Sequence, residues 1–166
     1  MKRTIALLLA LLTLTFALNA FAAEGSNPNT LAFTAELDAM GVAYTVHGLT
    51  DDGAEKVTLN NTDSAGNEYT FTFFFNGNNE EVTILVWNTI AFKESDFSRV
   101  LYAVNDLNSG YKWVKFFVDE SDNTVTARQD VIVRDNGTAG SVVKDAMIHM
   151  ADVMLEGFNV LGVFAK

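Results

Sequence analysis

The sequence contains no cysteine, one proline and two histidines among 166 residues, and it has 11 basic against 21 acidic side chains. Without cysteine, the chain has neither disulfides nor a thiol nucleophile, and a lipid-anchored cysteine is excluded. With two histidines, no histidine cluster and no cysteine, a zinc site is not expected. The formal net charge of −10 repels nucleic acid and anionic membrane, so neither is expected as a partner.

The N-terminal segment, residues 1–22, has the three-part pattern of a secretory signal peptide. Lys2 and Arg3 precede an uncharged apolar run, and small residues follow at Ala20 and Ala22. Cleavage after Ala22 would leave 9 basic and 21 acidic residues, a net charge of −12. An uncleaved membrane anchor is the alternative, because about 20 uncharged residues just span a bilayer. We therefore expect an extracytoplasmic protein, secreted or held in the cell envelope, with no membrane insertion after cleavage.

The remaining chain predicts one domain with short flanking segments. Residues 23–29 hold the only proline and form a polar linker, residues 30–158 form the domain, and residues 159–166 form an apolar C-terminal tail. Such a tail is expected to fold back onto the domain, and a dimer contact or a swapped segment is the alternative. A chain of this length buries about two-thirds of its unfolded surface, so packing alone can stabilise it.

Hydrophobic periodicity predicts three helices and six strands in the order αββββαββα. The expected helices are a short one capped by Asn29 or Thr30 and ended by Gly41, one over 94–109, and one from Thr138 or Ser141 to about Glu156. The expected strands are 42–47, 56–60, 69–75, 81–87, 111–118 and 124–133. Single helices between hairpins predict an α+β fold, with an antiparallel sheet and helices packed mainly on one face.

The residues that catalysis would need are scarce or scattered. His47 lies near a strand end and His149 on the last helix, and no Gly-x-Ser-x-Gly elbow or phosphate-binding glycine loop is present. The acidic turn 119–123 offers oxygen ligands for calcium, but it lacks the glycine and distal glutamate of the standard loop, so a solvated turn is favoured. A hydrolase with an unrecognised carboxylate site is the remaining enzymatic alternative. We therefore expect that the protein is not an enzyme and that it binds no cofactor.

Two apolar features are candidates for a surface that binds a protein or peptide partner. Met147, Met150 and Met154 recur at helical spacing, and methionine lets one surface fit several partners. Core packing is the ordinary explanation of such a stripe, and a Cu(I) site is a further alternative. The second feature is the aromatic content of the strands, which includes Phe74 and Trp113. Phe74 lies opposite the main aromatic row of its strand, so it would face water or a partner if helices cover one side only.

One motif joins the end of the second helix to the next strand. It reads Val104-Asn105-Asp106-Leu107-Asn108, then Tyr111-Lys112-Trp113-Val114-Lys115-Phe116, with an acidic turn at Asp119 and a long closing helix behind it. This pattern resembles the YbjN-domain proteins, also called the bacterial sensory transduction regulator family, and the likeness spans about residues 30–158. The resemblance implies a fold similar to type III secretion chaperones, which pair through helix and sheet surfaces and bind extended polypeptide.

Asn105 and Asn108 are the distinctive residues of this motif. At a helix end, amide side chains cap carbonyl groups and hold the next strand, so we expect a structural role for both; a binding role is the alternative. The resemblance implies no catalytic residues. Familiar chaperones of this shape are cytoplasmic, whereas this chain begins with an export segment.

Together these observations predict a non-enzymatic extracytoplasmic module, chaperone-like or regulatory, that binds another protein or a second copy of itself. The alternative is an accessory sensory domain that binds a small ligand or ion between the closing helix and the sheet.

Overall fold

The fold combines three α-helices with one six-stranded sheet, in a computed structural model that describes residues 27–133 and 137–166. The elements are α1 (Pro28–Met40), β1 (Thr45–Leu49), β2 (Glu55–Thr62), β3 (Glu68–Phe75), β4 (Glu81–Ala91), a 3₁₀ turn (Glu94–Asp96), α2 (Phe97–Gly110), β5 (Lys115–Asp119), β6 (Thr124–Ile132), α3 (Ala139–Leu161) and a last 3₁₀ turn (Gly162–Phe164). The predicted α+β class and the order αββββαββα are confirmed. The predicted signal peptide and the linker before residue 27 lie outside the described residues.

The sheet has the strand order β1-β2-β3-β4-β6-β5, and every neighbouring pair is antiparallel. The first four strands form a meander, and β6 then pairs with β4 and leaves β5 at the edge. Alternate residues of β3, such as Phe71 and Phe73, are buried under the helices. The ring of Phe33 on α1, for example, lies 4.6 Å from that of Phe73. The opposite side, called here the open face, is not covered by any described helix.

The start of α1 lies earlier than the sequence suggested. Asn27 caps the helix, because its side-chain oxygen accepts the N–H of Asn29 at 2.9 Å and Pro28 occupies the first helical position. The carboxylate of Glu55 on β2 accepts the N–H of Asn27 at 3.0 Å and holds this end of the helix against the sheet. The prediction that Asn29 or Thr30 caps α1 is therefore wrong, and residues 27–29 belong to the domain.

The end of α1 agrees with the prediction, but the next strand starts late. Gly41 ends the helix in the left-handed conformation, with φ 69°. The N–H of Val42 then bonds the carbonyl of Leu37 at 2.9 Å and closes the helix end. Because this bond engages Val42 in the cap, β1 begins at Thr45 rather than at Val42.

The last helix runs further than expected, and the tail returns to the sheet. α3 continues through Gly157 to Leu161, where the sequence suggested an end near Glu156. Ala165 pairs with Phe92, and the N–H of Lys166 donates to the carbonyl of Ala91 at 2.9 Å. The predicted fold-back of the tail is confirmed.

α3 is a long and apolar helix. By length and composition, the stretch Ala139–Phe164 would also suit a membrane span. One side of α3 is buried, however, at residues that include Val143, Met150 and Leu161. A core helix with a buried apolar stripe meets the same criteria of length and hydropathy.

Candidate functional site

The methionines of α3 lie in the core. Met147, Met150 and Met154 are 7%, 0% and 0% exposed, on the side of the helix that covers the sheet. The prediction that they form a partner surface is wrong, because the apolar stripe of α3 is the stripe that the sheet buries. Their side chains fill the interface between the closing helix and the sheet, where the predicted small-ligand site would have to lie.

Phe74 and Trp113, the two aromatic candidates, lie on opposite sides of the sheet. Phe74 is half-buried on the open face, beside Lys56 of β2 and Thr83 of β4. Trp113 lies between α2 and β5 on the helix side and is 64% exposed, with its ring 5.8 Å from that of His149. The structure therefore does not assemble the predicted residues into one site.

Asn108 makes the contact that the sequence motif predicted. Its side-chain N–H donates to the carbonyl of Phe116 at 2.9 Å, and its side-chain oxygen accepts the N–H of Phe116 at 2.8 Å. The amide thus bonds β5 as a neighbouring strand would, at the edge of the sheet. Asn105 is exposed one turn earlier and, within the described residues, makes no bond of this kind.

Several exposed apolar side chains lie on the open face, and of these the sequence predicted only Phe74. Trp87 on β4, Phe117 on β5 and Ile132 on β6 are 55%, 52% and 63% exposed. Together with half-buried Phe74 and buried Leu85 they are called here the open-face patch. Trp87 and Phe117 lie at one end of the face, and Ile132 stands six residues along β6 from Thr126, about 20 Å away. The alternation of β6 places Ile132 opposite its buried row, but Ile84, Leu85, Val86 and Trp87 of β4 are all apolar, so the sequence does not show which side of β4 is exposed.

A bulge in β4 positions Trp87. The register between β4 and β6 shifts between Val86 and Ile90, and Asn88 takes a left-handed conformation with φ 49°. Residues 87–89 of β4 therefore lie opposite a single residue of β6, Thr126. On the other edge of β6, Phe117 of β5 pairs with the same Thr126. Trp87 and Phe117 therefore flank Thr126 at about two strand spacings, roughly 10 Å.

The polar groups of the open face are largely paired with each other. Arg128 donates to both carboxylate oxygens of Asp130 at 3.0 Å, and the hydroxyl of Thr83 donates to Asp130 at 2.8 Å. On the first two strands, the ring of His47 in β1 lies 2.8 Å from the hydroxyl of Thr58 in β2. By register, the charged side chains of the open face are Lys56, Arg128, Glu68, Glu81, Asp119 and Asp130. The ammonium of Lys115 on β5 instead donates to the carbonyl of Asn108 at the end of α2, 2.7 Å away.

The acidic turn 119–123 uses its carboxylates internally. Asp119 accepts the N–H of Ser121 at 2.9 Å and its hydroxyl at 2.6 Å, and these bonds hold the pKa of the Asp119 carboxyl below its usual value. Asp122 accepts the hydroxyl of Thr124 at 2.6 Å. Among the described residues, no three His, Asp or Glu side chains lie close enough together to hold a metal ion. The geometry is that of a solvated turn.

The comparisons with known proteins agree with the sequence motif. The profile of the YbjN family, described as "Putative bacterial sensory transduction regulator", matches residues 32–158. The structure is similar to the crystal structure of YbjN from E. coli, which is described as "a putative transcription regulator". The TM-score is 0.50 and the identity 17%, over 79% of this chain and 90% of that chain, so this likeness concerns the fold. No curated protein matches the sequence. The profile covers most of the chain, which therefore belongs to the YbjN family.

Proposed function

We propose that this protein is a non-catalytic protein-binding module of the YbjN family that acts outside the cytoplasm, with the open face as its binding surface. The observation that carries the proposal is the open-face patch, in which Trp87, Phe117 and Ile132 are each more than half exposed. Single exposed apolar side chains are ordinary on protein surfaces, but Trp87 and Phe117 lie on either side of Thr126, and two large exposed rings this close together mark a surface that binds a partner.

The composition of this face suits a protein partner. Tryptophan, phenylalanine and arginine are enriched in protein interfaces, and Trp87, Phe117 and Arg128 lie close together on the open face. Both comparisons carry the description of a regulator. With 21 acidic and 11 basic side chains, regulation through direct contact with DNA is disfavoured, whereas regulation through protein contacts is compatible with this charge.

The extracytoplasmic location rests on the N-terminal pattern alone. Lys2, Arg3 and the apolar run before Ala22 have the order of a cleaved export signal. Cell fractionation followed by N-terminal sequencing tests it. The proposal expects a protein outside the cytoplasm that begins at Ala23, and an intact Met1 form in the cytoplasm would contradict it.

The binding surface is tested by affinity capture with three baits. The baits are the wild-type protein, a Trp87→Thr/Phe117→Thr variant, and a Tyr102→Ser control, because Tyr102 is 77% exposed on α2, away from the open face. Threonine retains a high strand propensity, so the double variant removes the aromatic rings with little effect on the strands. We expect wild type and Tyr102→Ser to capture the same protein and the double variant to lose it. Loss with Tyr102→Ser alone would move the binding surface to the helices.

A further inference from the structure

Polar side chains are buried where the start of α1 meets the turn after β3, and some of their oxygen atoms have no hydrogen-bond partner. Glu55 and Asn29 are 3% and 1% exposed. The side-chain oxygens of Asn29 and Asn79 are buried and accept no hydrogen bond. We infer that these three side chains, called here the acceptor cluster, bind the α-ammonium group of Ala23, the chain terminus that signal cleavage creates. The inference rests on the export step of the proposed function, since only cleavage produces this group.

Hydrogen bonds hold the members of the acceptor cluster close together. The N–H of Asn27 donates to the Glu55 carboxylate at 3.0 Å, and the side-chain amide of Asn27 donates to the carbonyl of Asn76 at 2.9 Å. The side-chain amide of Asn29 donates to the carbonyl of Asn79 at 2.9 Å. Because this bond uses the amide nitrogen of Asn29, its amide oxygen is left as an unpaired acceptor. The start of α1, the first residue of β2 and the turn after β3 therefore converge on one site.

The two unpaired amide oxygens require a ligand that donates hydrogen bonds. A buried acceptor without a donor is unfavourable, and an ammonium group offers three N–H donors. Water is the competing ligand, and it can donate to the same oxygens. Water carries no charge, however, whereas the third member of the cluster is a carboxylate.

The Glu55 carboxylate favours a cation over water. A buried carboxylate without a counter-charge is unfavourable, and the start of α1 supplies the equivalent of only about half a positive charge. In the part of the chain that the structure describes, the salt bridges involve the carboxylates of Glu36, Asp96 and Asp130, so none of them neutralises Glu55. Lys56 is the next residue, but the alternation of β2 places its side chain on the open face.

Ala23 is close enough along the chain to reach the acceptor cluster. Asn27, whose N–H bonds Glu55, is the first described residue, and Ala23 precedes it by four residues. Four residues span at most about 14 Å. Residues 24–26 include a glycine and a serine, which favour a turn that reverses the chain. After cleavage, no lysine or arginine precedes Lys56 in the sequence, so the α-ammonium is the nearest strong cation on the N-terminal side of Glu55.

The contact exists only in the mature protein. In the precursor, the nitrogen of Ala23 belongs to a neutral peptide bond, which offers one donor and no charge. Removal of the signal therefore adds an ion pair inside the domain. The processed form is more stable than the precursor for this reason.

Removal of the α-ammonium charge tests the inference. The protein that begins at Ala23 is released from a fusion by a protease, and pyridoxal phosphate then converts its α-amine to a ketone while the lysine amines are retained. The unfolding equilibrium constant in urea is expected to be at least about tenfold larger for the ketone form, because the Glu55 carboxylate is left without its cation. In Glu55→Gln, the amine and ketone forms are expected to unfold alike. Glu81→Gln is the control, since it changes an exposed carboxylate beside the same turn and should keep the full difference.

Equal stability of the amine and ketone forms of the wild type would overturn the inference, and so would an undiminished difference in Glu55→Gln. If Glu55→Gln does not fold, the reaction of the Ala23 amine with an amine-labelling ester in the wild type decides. We expect labelling to be at least about tenfold slower in the native protein than in the protein unfolded by guanidinium, because the bound amine reacts only after local opening. Equal labelling rates would overturn the inference.

These results can be told apart from those that test the proposed function. The test protein receives its terminus from the fusion, so neither export nor a partner affects the comparison. An exported protein that begins at Ala23 but shows equal stability of its amine and ketone forms would refute the inference alone. An intact Met1 form in the cytoplasm would contradict both the inference and the proposed location, because no α-ammonium is then present at Ala23.

Discussion

At the scale of single residues, Asn108 is the side chain whose role is most clearly defined. Its amide bonds both backbone groups of Phe116 and so closes the outer edge of β5. Replacement by alanine removes two hydrogen bonds, and we expect the free energy of unfolding to fall by about 1–3 kcal/mol. Urea unfolding, monitored by circular dichroism, measures this change in the free energy of unfolding.

Asn105→Ala is the matched control for this change. Asn105 lies one turn earlier on α2, where it is exposed, and the gain in helix propensity is of the same kind at both positions. Its unfolding free energy is expected to change by less than about 0.5 kcal/mol. Equal effects of the two variants would show that the amide bond to β5 contributes nothing specific.

A second residue-scale prediction concerns Tyr111. Its hydroxyl donates to the carboxylate of Glu156, and this bond, together with burial and the negative charge of Glu156, raises the pKa of Tyr111 to about 12. Since the folded pKa lies above the unfolded value of about 10, the stabilisation is complete below pH 10 and is lost as the pH rises to about 12. The ionisation of Tyr111 can be followed by the ultraviolet absorbance of tyrosinate as the pH is raised.

Glu156→Gln is the informative variant for this titration. Without the carboxylate charge, the pKa of Tyr111 is expected to fall back toward 10, so one tyrosine should ionise earlier than in the wild type. In Tyr111→Phe, that early ionisation should be absent. An unchanged titration curve in Glu156→Gln would mean that the two side chains do not interact in solution.

The sequence predicted some of these residue roles and missed others for identifiable reasons. The position of Asn108 at a helix end before a strand indicated its bond to the backbone. Met147, Met150 and Met154 were misassigned, because a helical stripe looks the same whether a sheet or a partner covers it. Trp87 was missed because its exposure depends on which side of β4 the helices cover, which periodicity alone does not reveal.

At the scale of elements, the crossing of α1 and α3 depends on Gly140. A Cβ atom there would lie 2.3 Å from the carbonyl oxygen of Ala32 on α1, so any larger side chain separates the helices. A salt bridge between Lys144 and Glu36, 2.6 Å long, joins the same two helices and raises the pKa of Lys144. We expect Gly140→Ala to lower the free energy of unfolding by about 1–3 kcal/mol.

Gly162→Ala separates this packing effect from the effect of glycine itself. Gly162 has helical dihedrals, with φ −59° and ψ −23°, and a Cβ there would meet nothing within 4 Å. This variant is expected to be neutral or more stable by up to about 1 kcal/mol. Thermal unfolding of the two variants compares their stabilities directly. An equal loss of stability in both would contradict a specific contact between α1 and α3 at Gly140.

The elements themselves were predictable to the extent that local patterns determine them. Alternation in β3 and three-four spacing in α2 predicted the types and the order of the elements. Their ends depended on more than periodicity, as at Asn27, where Pro28 at the first helical position and the bond to Glu55 mark an earlier start of α1. At the other end of the chain, Gly157 lies inside α3 in close contact with the ring of Phe116. The bulge at Asn88 left no clear local signal.

At the scale of the whole molecule, the sheet order decides which surface is free. Insertion of β6 between β4 and β5 brings Trp87, Phe117 and Ile132 onto one face. The sequence predicted an antiparallel sheet with helices on one side, but not this order, because strand pairing across α2 is a non-local choice. The open-face patch is thus a property of the topology rather than of any one motif.

The two tryptophans of the chain allow the most direct measurement, since Trp87 lies on the open face and Trp113 on the helix side. Acrylamide quenching is recorded for Trp113→Phe, which keeps only Trp87, and for Trp87→Phe, which keeps only Trp113. For each variant, the quenching of the free protein is compared with that of the assembled protein, bound to a second copy or to a captured partner. We expect assembly to shield Trp87 from acrylamide and to shift its emission to the blue, while the quenching and emission of Trp113 stay unchanged. Shielding of Trp113 with Trp87 still accessible would contradict the open face as the binding surface.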